Sequence, residues 1–485
     1  MKDKPRVRFA PSPTGDLHVG NARTALFNWL FARHYKGSLI LRIEDTDRTR
    51  TSTEYEKRII GDLQWLSIDW DEGPEKGGDY GPYHQSKRLD LYKEYLSRLI
   101  SERKAYPCYC TEEELEAERT SLLSRGLMPR YMGKCRKLSL EDRKRLEARG
   151  RRPAYRFKIE EAQIVFNDLI RGPMKFESGA IGDFIIVRSN GIPAYNFAVV
   201  IDDHHMKISH VIRGEDHLSN TAVQILLYRA FNFEPPLFAH HSLILGKDRA
   251  KLSKRHGSVA VADFRRMGIL PEALLNYLSL LGSSFAEGKE IFDRGELIEN
   301  FSLERAGRSG AIFDEDKLKW MNSVYIRKYG IDALTRLLTP YMRESGLDTE
   351  TLDYEWLKGV VGTVRGNLVT LSDIRKYMGI FFDDKYELSE EAVALLREAD
   401  SRNVVRAFHE AMLSECSGED DLYKCAIKKV QARYGMQGKK LFMPLRAAIT
   451  GSLLGPELDR VVEMLGRDSV LNRIRKAMQI TAAPG

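Results

Sequence analysis

The beginning of the chain alternates between strand and helix patterns. The stretch RVRFAPSPTGDLHVGNARTALFNWLFARHYKG predicts a short strand, a turn rich in proline and glycine, and a helix whose apolar residues recur at helical spacing from Ala25 to Phe31. SLILRIEDTDR predicts a second strand. A strand, a helix and a strand in this order begin a βαβ unit, which requires a parallel sheet with a right-handed crossover. Ligands of such sheets bind beyond the carboxyl ends of the strands.

The middle of the chain changes its pattern twice. From about Tyr106 to Arg152 the sequence is charged and helical, and RRPAYRFKI, QIVFNDLI and DFIIVRSNGIPAYNFAVVIDD then predict strands separated by turns. We interpret this region as an insertion in a nucleotide-binding fold. HVIRGEDHLSNTAVQILLYRAF returns to a strand and a helix, so the parallel sheet is expected to resume there. Beyond about Asp263 amphipathic helices dominate, which predicts an α/β protein with an all-α C-terminal region.

Length and composition limit the class of protein. A chain of 485 residues is too long for one hydrophobic core, so several domains are expected. No apolar run reaches the roughly 18 residues of a membrane span, and the start MKDKPRVRFA lacks an apolar signal region. We therefore expect a soluble, cytoplasmic protein without a membrane partner. The 76 basic residues exceed the 69 acidic ones only modestly, which suits a phosphate-rich partner if the excess lies on one face.

The turn PSPTGDLHVGN at residues 11–21 opens the first predicted helix. It places Ser12, Thr14, Gly15, His18 and Gly20 around the bend. Glycine lets the backbone approach a ligand closely, and the free N–H groups of a helix N-terminus favour a phosphate. The alternative is a proline-rich turn with a capping Ser or Thr, because the motif lacks the Walker A spacing and the dinucleotide fingerprint.

A second segment, GKDRAKLSKRHG at residues 246–257, concentrates cations. They are Lys247, Arg249, Lys251, Lys254 and Arg255. Five cations in one loop repel one another unless a polyanion neutralises them. The alternative is a solvated basic turn, the usual explanation of an isolated run of charge. Considered together with the first turn, this segment indicates phosphate binding.

Several longer phrases accompany the two motifs: LRIEDTDRTR, PYHQSKR, YNFAVVIDD, VIRGEDHLSNT, KLKWMNSVYIR and QGKKLFMPLRAAITG. With HVGN at residues 18–21 and KLSKR at residues 251–255 they resemble the bacterial-type glutamyl-tRNA synthetases of class I, which carry HIGH and KMSKS there. The resemblance spans nearly the whole chain. It implies a Rossmann-type catalytic domain in two halves, 1–107 and 188–245, around an acceptor-binding insertion at 108–187. A helical stem-contact domain with the KLSKR loop would follow at 246–325, and an α-helical anticodon-binding domain at 326–485.

The resemblance also implies a reaction. ATP would activate L-glutamate to glutamyl-adenylate, and the glutamyl group would pass to the 3′-terminal adenosine of a tRNA. This chemistry develops charge on phosphate oxygens, which fixed cations and N–H donors stabilise. The residues expected to bind ATP are Thr14, Gly15, His18, Gly20 and Lys254. His18, Lys251 and Lys254 are the expected catalytic residues, and Mg²⁺ is expected with ATP although no sequence signature fixes its ligands.

A glutamate ligand carries two carboxylates and an ammonium, so its pocket needs at least two cations and one anion. By the same resemblance, Arg8 with Tyr195 would bind the side-chain carboxylate and Arg213 the α-carboxylate. Glu44 and Ser12 would hold the α-amino group. The alternatives are an exposed strand residue for Arg8, a surface ion-pair partner for Glu44 and ordinary strand packing for Tyr195.

Three cysteines lie close together in PCYCT and YMGKCR. Cys108, Cys110 and Cys135 favour zinc over a disulfide in an intracellular protein. Some members of the resembled family bind zinc here with a histidine two residues after the last cysteine, whereas this chain has Lys137. Tyr131 could complete the set, as the C-x-C, Y-x-x-x-C pattern does in a related truncated synthetase. The alternative is three reduced cysteines in an insertion.

The remaining cysteines, Cys416 and Cys425, lie in the predicted helical region. Five thinly spread cysteines argue against a disulfide framework. We therefore expect two free thiols there.

An enzyme that touches both ends of a tRNA needs separate domains for the acceptor end and the anticodon. KKVQARYG and GKKLFMPLR mix cations with aromatic residues, as phosphate contact and base stacking require. Arg446 is the residue expected to contact the anticodon loop; the alternative is a basic helix with Tyr434 and Phe442 packed inside. The resemblance implies tRNA-Glu as the partner of a monomer and leaves tRNA-Gln open as a second substrate.

Three other functions remain open from the sequence. A glutaminyl-tRNA synthetase shares the catalytic fold, but PSPTG and the helical tail disfavour it. A truncated synthetase that glutamylates a modified tRNA base lacks an anticodon domain, and the residues beyond 325 argue against it. A catalytically silent tRNA-binding paralogue would not need a glutamate pocket, so Arg8 and Glu44 weigh against it.

Overall fold

The computed structural model of the chain describes residues 4–47, 51–160, 163–285, 288–416 and 422–482. These residues divide into two units. The first unit takes the described residues of Met1–Phe264 and Leu274–Asp314, and the second takes those of Arg265–Ala273 and Glu315–Gly485. The five domain boundaries predicted from the sequence divide the chain more finely and stay predictions.

Eleven strands and nineteen α-helices are found in the described residues. The strands are β1 (Arg6–Phe9), β2 (Ser38–Leu41), β3 (Ala105–Cys108), β4 (Ala154–Phe157), β5 (Gln163–Asp168), β6 (Gly172–Glu177), β7 (Ile185–Val187), β8 (His210–Gly214), β9 (Leu237–His241), β10 (Ile244–Leu245) and β11 (Ala311–Ile312). The helices are α1 (Val19–His34), α2 (Thr53–Trp65), α3 (Leu89–Ser101), α4 (Glu112–Ser124), α5 (Leu140–Ala148), α6 (Tyr195–His205), α7 (Leu218–Ala230), α8 (Val261–Arg266), α9 (Pro271–Leu280), α10 (Arg294–Glu299), α11 (Glu315–Lys328), α12 (Ile331–Glu344), α13 (Tyr354–Val364), α14 (Ile374–Met378), α15 (Glu390–Leu396), α16 (Ala399–Glu410), α17 (Leu422–Tyr434), α18 (Lys439–Thr450) and α19 (Leu458–Ala482). None of these helices is both long and apolar enough to span a membrane.

Parallel strands form the centre of the first unit. β1 pairs with β2 in parallel, from Arg6 opposite Ser38 to Phe9 opposite Leu41. β8 and β9 also pair in parallel, within a four-stranded sheet of order β6-β5-β9-β8. Ser209 N–H donates to the Arg6 carbonyl at 2.9 Å, which places β1 beside the residue that precedes β8. The predicted parallel strands, and their return after the insertion, are confirmed.

The region interpreted as an insertion contributes directly to this sheet. β3, β4 and β7 form a separate antiparallel sheet. β5 and β6 form an antiparallel hairpin, and Asp168 of β5 pairs in parallel with Phe238 of β9. Two strands of the insertion therefore extend the parallel sheet.

The prediction of a strand for YNFAVVIDD is wrong, because these residues form most of α6. The helix begins after Ala194, which has extended backbone angles of φ −75° and ψ 152°. Every residue from 197 to 203 is buried. A helix that is buried all round carries the same continuous apolar run as a buried strand, so periodicity does not distinguish the two.

The second unit contains only helices and turns among its described residues, as the sequence predicts. Its core is apolar and includes Leu338, Val361, Phe408 and Ile474 from four different helices, all of them fully buried. α19 is kinked at Gly466, whose backbone angles of φ 74° and ψ 165° are not helical. Glycine adopts a positive φ without the steric penalty of a side chain, which allows the kink.

One cysteine prediction is wrong. Cys416 and Cys425 form a disulfide rather than two free thiols. Cys416 follows the π-helical turn Ala411–Glu415, and Cys425 lies on α17 with its Cα 5.9 Å away. This separation is within the usual range for a disulfide. The bond depends on how two helices pack, which cysteine spacing alone does not reveal.

Candidate active site and cysteine cluster

A cavity of about 790 Å³ opens at the carboxyl ends of the parallel strands. Its lining includes Phe9, Gly214 and His241, which are the last residues of β1, β8 and β9. The sequence predicts a ligand site at this edge of the sheet. The structure places the cavity there.

The two predicted phosphate motifs meet at this cavity. Val19 N–H donates to the Val259 carbonyl and Val261 N–H donates to the Leu17 carbonyl, both at 2.9 Å. These bonds join the bend before α1 to the segment that follows the KLSKR loop. His18 and Lys251 consequently line the same cavity, although they are far apart in sequence.

His18 is oriented by the helix that follows it. As the N-cap residue of α1 it accepts the Gly20 N–H at Nδ1, at 3.0 Å. Because Nδ1 is an acceptor, the proton of the neutral ring lies on Nε2, where it can be donated. Burial, assisted by Lys251, lowers the pKa of His18 and keeps the ring neutral. Ser12, Thr14 and Gly20 line the cavity with it, whereas Gly15 is in the bend but not in the lining.

The KLSKR loop carries its own counterions. Lys251 Nζ lies 2.7 Å from Asp216 Oδ2, and an Arg255 amino group lies 3.2 Å from Asp248 Oδ2. The expectation that only a bound polyanion neutralises these cations is therefore wrong for Lys251 and Arg255, because nearby carboxylates do so. The side chain of Lys254 lies outside the described part of the structure.

The residues expected to bind glutamate lie together. Arg8, Ser12, Glu44, Tyr195 and Arg213 all line the cavity. Arg8, Glu44 and Arg213 are almost completely buried, which excludes the alternatives of an exposed strand residue for Arg8 and a surface ion pair for Glu44. Tyr195 is the first residue of α6 and is 36% exposed, so it is not packed inside a strand.

Arg8 pairs with a buried acid, Asp203, that was not among the predicted site residues. Its Nε–H donates to Asp203 Oδ1 at 3.3 Å, and Arg42 Nη1 donates to the same oxygen at 2.6 Å. Burial opposes ionisation of Asp203, but Arg8 and Arg42 outweigh it and lower the pKa of this carboxyl. The two arginines therefore share one carboxylate beneath the cavity.

Glu44 is a buried acid that lines the cavity. Its Oε1 accepts a hydrogen bond from Arg42 Nη2 at 3.2 Å. Burial raises the pKa of Glu44 to about 7, although Arg42 and Arg8 oppose this shift. The carboxylate is therefore poised between its neutral and ionised forms near neutral pH.

Arg213 is held on three sides. Its Nε–H donates to His240 Nε2 at 3.2 Å, and its Nη2 donates to Thr221 Oγ1 at 2.6 Å and to Gln224 Oε1 at 2.9 Å. Nη1 lies 3.5 Å from the hydroxyl of Tyr195 on the cavity side. Among the predicted glutamate-binding residues, Arg8 and Arg213 supply two buried guanidinium groups and Glu44 supplies one buried carboxyl group, which matches the charges of an amino acid with an acidic side chain.

The three cysteines and Tyr131 form a cluster in the region interpreted as an insertion. The Sγ atoms of Cys108, Cys110 and Cys135 all lie within 4.8 Å of one another. The Tyr131 hydroxyl lies 3.6 Å from the Sγ atoms of Cys108 and Cys110. Zinc–thiolate bonds of about 2.3 Å in a tetrahedron separate two sulfurs by about 3.8 Å, so these groups fit a zinc ion. Arg156 Nε–H donates to Cys108 Sγ at 3.2 Å and would balance part of the thiolate charge.

Arg446 lies in the second unit, on α18. It lines a cavity of about 510 Å³ together with Tyr423, Lys428 and Phe442. Its Nη1 donates to the Pro456 carbonyl at 2.6 Å, so the side chain is partly fixed. Phe442 is 38% exposed, which argues against the alternative that it is packed inside the helix bundle.

Two family sequence models match this chain. The family described as "tRNA synthetases class I (E and Q), catalytic domain" matches residues 4–320, and the family described as "Anticodon binding domain" matches residues 333–478. The first match covers more than half of the chain and contains every residue of the cavity described above. The chain therefore belongs to the class I tRNA synthetases of the E and Q family.

Individual relatives show which kind of class I synthetase this chain resembles. Glutamate–tRNA ligase 2 of Syntrophus aciditrophicus (strain SB) is 58% identical over 477 residues, 98% of this chain and 98% of that protein. Glutamate–tRNA ligase 1 of Caldicellulosiruptor saccharolyticus is 52% identical over 97% of this chain and 98% of that protein. The crystal structure of a glutamate tRNA ligase from Elizabethkingia meningosepticum in complex with its amino acid has a TM-score of 0.88 and 34% identity, covering 98% of this chain and 99% of that chain. Within the class I synthetases, the chain belongs with the glutamate–tRNA ligases.

Proposed function

We propose that the protein activates L-glutamate with ATP and transfers the glutamyl group to the 3′-terminal adenosine of tRNA-Glu. The observation that carries this proposal is one cavity that combines the two phosphate motifs with Arg8, Glu44 and Arg213. An α-carboxylate oxygen of glutamate attacks the α-phosphorus of ATP and diphosphate leaves. The ribose hydroxyl of the tRNA then attacks the acyl carbon, and AMP leaves.

His18 and Lys251 serve the first step. The Nε2–H of the neutral His18 donates to a phosphate oxygen, and Thr14 and the Gly20 backbone bind ATP beside it. Lys254, assisted by Lys251, stabilises the charge on the departing diphosphate. Bound with ATP, Mg²⁺ would neutralise part of the triphosphate charge.

Arg8, Tyr195 and Arg213 bind the two carboxylates of glutamate, while Glu44 and Ser12 hold its ammonium group. Arg8 and Tyr195 bind the side-chain carboxylate, and Arg213 binds the α-carboxylate. A neutral amide in place of the side-chain carboxylate would leave the Arg8 guanidinium without its anion, so glutamine is rejected.

The cysteine cluster would hold a structural zinc ion through Cys108, Cys110 and Cys135, with Tyr131 as the fourth ligand. The 3.5 Å distance between the Sγ atoms of Cys110 and Cys135 supports this, because it is close to the sulfur–sulfur separation of about 3.8 Å that tetrahedral zinc requires. The ion would stabilise the insertion and take no part in the chemistry.

The insertion would bind the acceptor end of tRNA-Glu, and the helical domain its anticodon, with Arg446 at the anticodon loop. We propose that the enzyme acts as a monomer in the cytoplasm. In the same reaction, tRNA-Gln is a second candidate acceptor of the glutamyl group.

ATP–pyrophosphate exchange tests this proposal. The purified chain should exchange diphosphate in the presence of glutamate and tRNA-Glu, and glutamine should not replace glutamate. A parallel charging assay with purified tRNA-Glu and tRNA-Gln determines which tRNAs are substrates. A chain that binds tRNA but shows no exchange with any amino acid would instead be a silent tRNA-binding paralogue.

A further inference from the structure

Three neighbouring strands place a buried acid, a buried histidine and Arg213 side by side. Asp168 is the last residue of β5, His240 lies on β9, and Arg213 lies on β8 directly opposite His240 in the strand register. The side chains of Asp168 and His240 are completely buried, and neither residue lines the cavity. The proposed reaction assigns them no role.

The hydrogen bonds of His240 fix its tautomer. Its Nδ1 lies 2.6 Å from Asp168 Oδ2, and its Nε2 accepts the Arg213 Nε–H at 3.2 Å. An ionised carboxylate only accepts hydrogen bonds, so the ring proton lies on Nδ1. Nε2 then presents the lone pair that an arginine donor requires. Burial lowers the pKa of His240, with Arg213 acting in the same direction against Asp168, which keeps the ring neutral.

Asp168 is itself held by backbone donors. Its Oδ1 accepts the N–H groups of Ile170 at 3.0 Å and of Arg171 at 2.8 Å. Burial opposes ionisation, but the hydrogen bonds from His240 and these backbone groups outweigh it and lower the pKa of Asp168. The acid is therefore an ionised and immobile anchor.

We propose that Asp168 and His240 are positioning residues, which orient the guanidinium of Arg213 for the α-carboxylate of the amino-acid substrate. This inference rests on the proposed role of Arg213. His240 fixes Nε, while Thr221 and Gln224 fix Nη2, so Nη1 is the donor left on the cavity side. Because β5 belongs to the insertion, a strand of that insertion anchors a substrate-binding arginine.

Asp168→Asn tests the inference with an isosteric change. The new amide can donate to Nδ1, which moves the ring proton to Nε2 and sets it against the Arg213 Nε–H. Loss of a hydrogen bond to a charged group predicts a rise of about 10- to 100-fold in the KM for glutamate, measured by ATP–pyrophosphate exchange with tRNA. The KM for ATP should not change. An unchanged KM for glutamate would overturn the inference.

A pair of His240 variants tests the same inference in case the Asp168→Asn protein does not fold. His240→Gln retains an acceptor near the Nε2 position and should raise the KM for glutamate less than His240→Phe, which has none. Equal effects of the two variants would refute a positioning role. Asp183→Asn is the control, because Asp183 is also a buried acid of the insertion but bonds Tyr106 and the Ile159 backbone instead.

A spectroscopic measurement separates this inference from the proposed function. In the ¹⁵N-histidine-labelled protein, the resonances missing from His240→Gln identify His240. They should report a proton on Nδ1 in the wild type and on Nε2 in Asp168→Asn. This result needs no substrate, so it would hold even if glutamate exchange were absent. A wild-type proton on Nε2 would contradict the inference while leaving glutamate–tRNA ligation intact.

Discussion

The sharpest test of the glutamate pocket is Arg8→Ala. In the structure, the hydrogen bonds of Arg8 to other described residues all leave from Nε and end on Asp203. The guanidinium is almost completely buried and lines the cavity, so its remaining donors are available to a ligand. The substitution should therefore remove the partner of the glutamate side-chain carboxylate.

The size of the effect follows from this burial. Leaving one member of a buried ion pair without its partner costs about 3–5 kcal/mol. With about 1.4 kcal/mol for each factor of ten, kcat/KM for glutamate should fall by about 10²- to 10⁴-fold. The protein should still fold, because Arg42 Nη1 remains 2.6 Å from Asp203 Oδ1 and keeps that acid paired.

ATP–pyrophosphate exchange with varied glutamate measures kcat/KM for glutamate, and the same assay with varied ATP measures the KM for ATP. The KM for ATP should remain close to the wild-type value, since Arg8 is assigned to the amino acid alone. Arg33→Ala is the matched control, because Arg33 pairs at the surface with Asp69 and Asp71. Unchanged glutamate kinetics would remove Arg8 from the pocket. Equal losses for glutamate and ATP would show that Arg8 supports the fold rather than the ligand.

Three further predictions concern other parts of the molecule. Burial raises the pKa of Glu44 to about 7, so the KM for glutamate should fall as the pH rises through about 7, and Glu44→Gln should abolish that dependence. By the same shift, the folded state of the free protein should lose stability as the pH rises from 4.5, the ordinary pKa of a glutamate side chain, to about 7. Cys110→Ser should lower both the zinc content by metal analysis and the melting temperature, whereas Cys425→Ser should leave the zinc content unchanged; wild-type protein without zinc would contradict the cluster assignment. Arg446→Ala should weaken tRNA binding and reduce the slope of log affinity against log salt by about one, whereas the exposed Arg402→Ala should do neither.

Local sequence patterns were sufficient to predict the secondary structure that depends on residues close together in the sequence. The strand, glycine turn and helix around His18 were predictable because turn residues and apolar spacing coincide there. The helical end of the chain was predictable because amphipathic spacing recurs over many residues. The candidate site residues came from motif resemblance. The structure brings nine of them to one cavity: Arg8, Ser12, Thr14, His18, Gly20, Glu44, Tyr195, Arg213 and Lys251.

The supporting residues were not predictable, because their partners are remote in sequence. Asp203 contacts Arg8 although the two residues are 195 positions apart in the sequence. Asp168 contacts His240 at a separation of 72 positions. The only local signal was the pair of acids that ends YNFAVVIDD, since adjacent carboxylates after a continuous apolar run must find buried partners. The strand prediction for that phrase concealed this signal, because it placed the acids at a strand end rather than on a buried helix.

The cavity cations with a proposed role, Arg8, Arg213 and Lys251, fall into two physical classes, and the difference fits their roles. Arg8 and Arg213 are buried, and groups behind them fix their Nε atoms, so each meets a ligand with little rearrangement. Lys251 is 62% exposed and pairs with Asp216, which is 40% exposed. Such a surface pair is worth only about 0–1 kcal/mol, so Lys251 can exchange Asp216 for a phosphate oxygen and return when diphosphate leaves. Fixed cations suit a substrate that must be selected, and a loosely held cation suits a product that must be released.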